Sequence, residues 1–374
     1  MRRHLGLILA LATVLGAADA SAAEIRIGFA SALSGPYAAT GARYRAAVEV
    51  AVEQLNRDGG LLGQPVRVIT ADDACGVAQA EAAAHTLIDA GVGFVVGHLC
   101  SHSSLVAAAV YEAAGVAMLT TTASHPRLTE EGRGNIFRLI GRDDRQGQIA
   151  GDFLAERWPR GKIAILDDGS TYGAGLADQT RRRLRERDVH ETLNARYPPG
   201  ADEYAALVGQ LQRAGIEVAY VGGYGPDAAR IVRTARQLGD DVQLVGGHAL
   251  GMPEFWTIAG KAGAGTIFTG RRDTGLGAAT AGAVAALRAH GIEPVPGSLA
   301  AYAAIEVWAQ AVERAGSPTP AAVIKELRDG RFATVLGWIG FDAKGDLEGG
   351  DWQWQVWREN GAYELLKPAL ARMN

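Results

Sequence analysis

Cysteine is nearly missing from this chain: only Cys75 and Cys100 occur in 374 residues. That excludes a disulfide-dense scaffold and a zinc site built on four thiolates. Long apolar runs are scarce too. Beyond Gly16 no segment stays apolar over the roughly 18 residues a membrane-spanning helix needs. No sign of charge dominates: 37 Lys and Arg stand against 41 Asp and Glu, a net of -4, so nothing favours nucleic acid or an anionic membrane surface. Catalytic signatures are missing as well. There is no Walker loop, and Gly91-Val92-Gly93-Phe94 precedes a strand instead of following one. Gly169-Ser170-Thr171-Tyr172-Gly173 has the wrong spacing for a nucleophile elbow. Ser101 and His102 are adjacent, which does not make a nucleophile–base pair. The sequence points to no enzyme and no cofactor.

What is present begins with a targeting pattern. Arg2, Arg3 and His4 form a basic start, Leu5 to Gly16 is a short apolar stretch, and Ala20-Ser21-Ala22 offers a small-residue cleavage site. The expectation is a signal peptide over 1–23, a mature start near Ala23 or Glu24, and an exported, soluble protein. No cysteine near the cleavage site suggests lipid anchoring. In an oxidising compartment the two cysteines are expected to form one disulfide, Cys75–Cys100. The competing reading is a metal cluster of His98, Cys100 and His102. It is disfavoured because alternate residues at a strand end and helix start diverge, and a disulfide consumes the thiolate.

The length suits two domains. The 49 glycines sit singly or in pairs at the ends of apolar runs, as punctuation of a βα repeat. Strand patterns at Ile25–Ala30, Val66–Ala71, Phe94–Gly97 and Ala117–Thr120 alternate with helix patterns at Gly41–Arg57, Ala78–Ala90 and Ser103–Ala114. A second series follows Gly141: helices over Asp144–Trp158, Tyr172–Arg187, Glu203–Ala214 and Pro226–Leu238, strands over Lys162–Asp167, Leu193–Tyr197, Val218–Gly222 and Gln243–Gly246. Two similar α/β lobes without a long linker imply a cleft, with ligands at the carboxyl ends of the strands. The tail predicts helices at Ser298–Ala315 and Pro318–Arg328, then strands at Thr334–Asp342 and Trp352–Glu359. It is expected to complete both lobes, so the chain crosses between them more than once.

Asp72-Asp73-Ala74-Cys75 and Gly97-His98-Leu99-Cys100-Ser101 each follow a strand, and the second opens a helix rich in hydroxyls. A helix N-terminus offers unpaired N–H groups and partial positive charge, which suits a carboxylate. With Ser34-Gly35-Pro36, Arg138, the Gly141–Gln146 turn, Asp168 to Gly173, Gly222-Gly223-Tyr224 and Phe341-Asp342 to Lys344-Gly345-Asp346-Leu347, these segments resemble the periplasmic leucine/isoleucine/valine-binding proteins of ABC transporters. The likeness spans the mature chain. It implies a type I periplasmic binding protein: two Rossmann-like lobes joined by a three-crossover hinge, with lobe 1 over 24–142 plus about 272–349 and lobe 2 over 143–271 plus about 350–374. It implies an amino acid or related carboxylate as ligand, an inner-membrane permease as partner, and a monomer in the periplasm.

On that resemblance Ser101 meets the ligand's carboxylate, a role compatible with its reading as a plain N-cap. Thr122 and Ser124 contact carboxylate and ammonium; otherwise they are an ordinary polar loop. Tyr172 and Tyr224 close over the ligand from the second lobe, or are surface tyrosines after tight turns. Asp143 neutralises the ammonium, or forms a salt bridge near the crossover with its neighbours Arg142 and Arg145. Three positions depart from the family. His248 stands where a glutamate commonly holds the ammonium, and a protonated imidazole would repel it. Thr40 and Gly297 stand where aromatic rings line the side-chain pocket. The expectation from these three is a ligand larger than leucine, or one without a free α-ammonium, such as an aromatic acid. A periplasmic sensor speaking to a signalling receptor is a further alternative, since fold does not fix function.

Overall fold

In a computed structural model the described residues are 24–271, 278–350 and 352–367. The expected signal segment, 1–23, lies outside them. The first sheet holds β1 (Ile25–Ser31), β2 (Val66–Asp72), β3 (Phe94–Gly97), β4 (Ala117–Thr120) and β5 (Ile136–Arg138), all parallel, in the order β2-β1-β3-β4-β5. Helices α1 (Ala38–Arg57), α2 (Val77–Asp89), α3 (Ser101–Ala114) and the short α4 (Arg127–Glu130) connect them. Parallel strands covered on both faces read as near-continuous apolar runs, and all four residues of β3 are buried.

The second sheet repeats this plan. Helix α5 (Asp143–Arg157) leads to β6 (Ile163–Asp167), β7 (Leu193–Arg196), β8 (Val218–Gly222), β9 (Gln243–Gly246) and β10 (Ile267–Arg271), in the order β7-β6-β8-β9-β10. Helices α6 (Thr171–Glu186), α7 (Ala205–Ala214), α8 (Gly225–Gln237) and α9 (Pro253–Ala259) connect them. Each order reverses once, between β1 and β3 and between β6 and β8. Crevices form at such switch points, beyond the carboxyl ends of the strands. The segments bearing Tyr37, Ser101, Tyr172 and Tyr224 follow those four strands.

The tail serves both sheets. Helices α10 (Ala278–Ala289), α11 (Pro296–Ala315) and α12 (Pro320–Asp329) come after β10, and α11 packs on α1 and β3 of the first sheet. Trp308 of α11 stacks on Phe94 with ring centres 5.7 Å apart. A hairpin of β11 (Arg331–Thr334) and β12 (Gly337–Gly340) follows, and then β13 (Trp352–Trp357) extends the second sheet antiparallel to β10, with β14 (Tyr363–Leu365) antiparallel to β13 beyond it. The chain therefore passes between the sheets three times: after Arg138, after Arg271 and before Trp352. Arg138 is wholly buried and pairs with Asp346 at 2.6 Å, and Arg142 reaches the same carboxylate at 2.8 Å. These two ion pairs fasten the first passage to the third.

Most expected elements fall within three residues of their places; α4, α9, α10 and β14 were not anticipated, and further differences have a local cause. The strand expected over Thr334–Asp342 is a hairpin, because Gly337 takes a φ of +88° and turns the chain. Strands β5 and β10 were not anticipated. The first is three residues long, and β10 carries Thr269, Gly270 and Arg271 at its end, which masks its apolar character. Helix α3 begins at Ser101, so Cys100 is the N-cap and Ser101 is its first helical residue. Among the described residues, no helix is long and apolar enough to cross a membrane.

Candidate functional site

The first-lobe wall is made of backbone held from behind. Strand β3 ends at Gly97, whose φ is +146°; a Cβ there would lie 2.2 Å from the Ala30 carbonyl oxygen, so only glycine fits this approach. His98 is wholly buried. Its Nδ1 lies 2.6 Å from Asp73 Oδ2 and its Nε2 3.1 Å from the Tyr111 hydroxyl, which fits an imidazole donating to the carboxylate and accepting from the phenol. Asp73 Oδ1 accepts the Cys75 N–H at 2.8 Å. Cys75 and Cys100 form the expected disulfide, with Cα atoms 5.5 Å apart. His102 donates to the Cys75 carbonyl from the other side. His98, Cys100 and His102 therefore have separate partners, and among the described residues no group of His, Cys, Asp and Glu is arranged to hold a metal.

The neighbouring loop, 120–124, is stitched to this one. Thr120 and Ser104 donate to the His98 carbonyl at 2.9 and 3.2 Å, and Thr122 donates its hydroxyl to the Leu99 carbonyl at 2.9 Å. The Thr122 hydroxyl is thus spent inside the protein; its N–H lies 3.4 Å from the Thr120 hydroxyl, and its backbone also meets His248. Ser101 is buried at the first turn of α3, beside that helix's unpaired N–H groups. The Ser124 side chain is wholly buried, with its hydroxyl beside the Asp143 carboxylate.

The second-lobe wall is made of rings. Tyr172 lies in the first turn of α6, where Ser170 caps the Gly173 N–H at 2.9 Å, and Tyr224 is the N-cap residue of α8. Both are buried, which rules out surface tyrosines. Their ring centres are 5.1 Å apart, and Tyr37 of the first lobe lies 4.8 Å from Tyr224. The Tyr224 hydroxyl reaches the Ser101 backbone N–H across the cleft. Burial raises the phenols of Tyr172 and Tyr224 well above their usual range, so both stay protonated donors.

His248 sits between the walls. Its ring stacks on Trp352 with centres 5.1 Å apart, and its Nδ1 lies 3.3 Å from both the Tyr172 hydroxyl and the Gln146 amide. Burial, only partly offset by a hydrogen bond to the Thr122 backbone, lowers its pKa to about 4, so the imidazole is neutral at physiological pH. Gln146 organises this corner. Its Oε1 accepts the His248 N–H at 2.8 Å and the Thr269 hydroxyl, while its Nε2 donates to Asp143 Oδ1 at 2.8 Å. Asp143 is wholly buried and has no ion pair with Arg142, whose guanidinium goes to Asp144, Glu130 and Asp346.

Two departures from the expected pattern have structural compensations. Thr40 does not open space. Its N–H and hydroxyl donate to the Glu254 carboxylate of α9, at 2.8 and 2.7 Å, across the cleft. Gly297 does line a cavity, of about 70 Å³, together with Thr122, His248, Met252 and Phe268. However, a Cβ on Gly297 would lie 1.9 Å from the Tyr44 hydroxyl. The ring absent at 297 is replaced by Tyr44, which stands one helical turn beyond Thr40. The sequence reading missed Tyr44, Gln146 and Glu254. Only Tyr44 left a signal, in its i, i+4 spacing from Thr40.

The structure thus brings Ser101, Thr122, Ser124, Asp143, Tyr172, Tyr224 and His248 to one interlobe region, with Thr40 at a contact across it. Comparison with known proteins agrees in extent. A family model described as "Periplasmic binding protein" matches residues 24–360. A leucine-, isoleucine-, valine-, threonine- and alanine-binding protein of Pseudomonas aeruginosa is 36% identical over 98% of this chain and 99% of its own. A Leu/Ile/Val-binding protein homolog of Brucella abortus is 35% identical over 92% of this chain and 94% of its own. The crystal structure of a branched-chain amino acid transporter substrate binding protein from Streptococcus pneumoniae, in complex with isoleucine, superposes with a TM-score of 0.81 at 25% identity, covering 92% of this chain and all of that one. Two doubly wound lobes facing each other across a cleft, matched along nearly the whole sequence, make this chain a member of the periplasmic binding protein family.

Proposed function

We propose that this protein is a periplasmic solute receptor of an ABC importer that captures a branched-chain or related amino acid between its lobes. The observation that carries this reading is the junction at Ser101. Buried hydroxyls and a helix N-terminus converge there, opposite two buried tyrosines that act as protonated donors. The amino acids named for the relatives from Pseudomonas and Brucella support the same ligand class.

In the mechanism, the ligand's carboxylate docks on Ser101, the first N–H groups of α3 and the Thr122 backbone, in the place that the Tyr224 hydroxyl takes at the Ser101 N–H in this closed structure. Charge-assisted hydrogen bonds favour this exchange of a phenol for a carboxylate. Tyr172, Tyr224 and the cavity by Gly297 then enclose the side chain. The lobes, 24–142 plus about 272–349 and 143–271 plus about 350–374, close about the three passages, and Thr40 meets Glu254. The closed form docks on an inner-membrane permease, as a monomer and without bond chemistry. Isothermal titration of refolded, ligand-free protein with the twenty amino acids tests this. Micromolar or tighter binding of at least one aliphatic amino acid is expected; no heat with any of them would sink the reading.

One observation favours a second reading, a bulkier or amine-free carboxylate: the neutral His248 at a position that would suit an acid. The modest cavity and the Tyr44 ring argue against bulk. A sensor role would use the same closure, and the membrane partner captured by the ligand-bound form separates it from transport.

A further inference from the structure

Rings are expected at 40 and 297, and neither is there. One ring stands in their stead, on a residue the expected pattern leaves out. Tyr44 lies on α1, one turn beyond Thr40, and is buried. It cannot coexist in this position with a side chain at 297: a Cβ there would lie 1.9 Å from the Tyr44 hydroxyl oxygen and 2.3 Å from its Cζ. Glycine at 297 is what lets the first turn of α11 lie against that ring. Both residues line the cavity of about 70 Å³. An apolar cavity of about 150 Å³ takes a benzene ring. This one has half that room, enough for about three or four carbons.

The walls of this cavity come from both lobes and from the passages between them. Leu139 follows β5 at the first passage, Arg271 ends β10 at the second, and Gln355 lies in β13 beyond the third. Arg271 donates to the Leu139 carbonyl at 2.7 Å, which ties two of those walls together. Met252 and Phe268 give the cavity apolar faces on the second-lobe side. We propose that Tyr44 is the residue that sets which amino acid this receptor accepts. Its ring replaces the one missing at 297 and limits the ligand to an aliphatic side chain of about three or four carbons. This rests on the amino-acid reading above. Up to that length each buried methylene gains about fourfold in affinity. Beyond it the ligand presses on close-packed walls that belong to the hinge, so a larger side chain loses binding by holding the lobes apart.

The test is calorimetric titration of the ligand-free protein with L-alanine, L-valine, L-leucine and L-phenylalanine. In the wild type, affinity is expected to rise roughly fiftyfold from alanine to leucine and to fall about a hundredfold from leucine to phenylalanine. Tyr44→Ala is expected to lose about tenfold for leucine and to gain about tenfold for phenylalanine, so that the two bind alike. Adding Gly297→Phe to that variant returns a ring to the cavity and is expected to restore the preference for leucine by about tenfold or more. A residue that only held α1 against α11 would weaken all four ligands in proportion. Phenylalanine bound as tightly as leucine by the wild type, or an unchanged ratio between them in Tyr44→Ala, would overturn the proposal and leave the amino-acid reading standing. The wild-type series needs no variant to fold. No heat with any aliphatic amino acid would overturn both.

Discussion

The two walls of the cleft are built on opposite plans. The first-lobe wall is backbone, fixed from behind by the Cys75–Cys100 disulfide, the Asp73–His98–Tyr111 chain and three side-chain hydrogen bonds to the 98 and 99 carbonyls. The second-lobe wall is aromatic. The Tyr172 hydroxyl has a 3.3 Å contact to His248 and a hydrogen bond from the Ala249 backbone, and Tyr224 borrows a donor from across the cleft. A wall fixed before the ligand arrives loses little freedom on binding and suits the part every amino acid shares. A wall of rings can turn to cover different side chains. The difference teaches where stability and selectivity reside: first-lobe changes should unfold, and second-lobe changes should alter binding.

Removing the disulfide is the largest blow to that division. Cys75→Ser with Cys100→Ser opens a loop of 25 residues, which by chain entropy costs about 3.5 kcal/mol. Urea denaturation is expected to show a lower midpoint with little change in slope. Asp73→Ala comes next. It strips a buried imidazole N–H and the Cys75 N–H of their acceptor, a loss of about 2 kcal/mol. Tyr172→Phe, on the other wall, removes a hydroxyl meant for the ligand. It is expected to leave urea stability within about 0.5 kcal/mol and to weaken binding about tenfold. If Tyr172→Phe unfolds the protein as readily as Asp73→Ala, the contrast between the walls is wrong.

The first wall was also the more legible one in the sequence. Its parts are local: a strand, a tight turn, a cysteine and a hydroxyl-rich helix start fall within a few residues, while the disulfide follows from two cysteines in an exported chain and the role of Ser101 from the family resemblance. The helix start was set two residues late, at Ser103, because Ser101 reads as the cap, whereas the cap is Cys100. The second wall depends on partners far apart in the chain. Gln146 meets His248 across 102 positions and Glu254 meets Thr40 across 214, and no local periodicity encodes such pairs. The same limit governed Gly297. Its missing ring was visible, but Tyr44, which fills that space, could be recognised only once α1 and α11 were packed together.

The contact between Thr40 and Glu254 offers the smallest change and a sharp test, because it belongs to both walls at once. Thr40→Val keeps the shape and the backbone N–H, which still donates to Glu254 at 2.8 Å. It removes the hydroxyl that approaches both carboxylate oxygens at 2.7 Å. One part-buried hydrogen bond to a charged group is at stake, about 1 kcal/mol net. Because the bond spans the cleft, that cost falls on the closed form alone. An open, ligand-free receptor has already lost it and should denature in urea as the wild type does. Binding should weaken about fivefold, chiefly through faster release, since the closed form is what holds the ligand. Stopped-flow dissociation monitored through tryptophan fluorescence reads that rate directly. An unchanged off-rate would mean that the walls close without this contact, and that the rings alone decide how long the ligand stays.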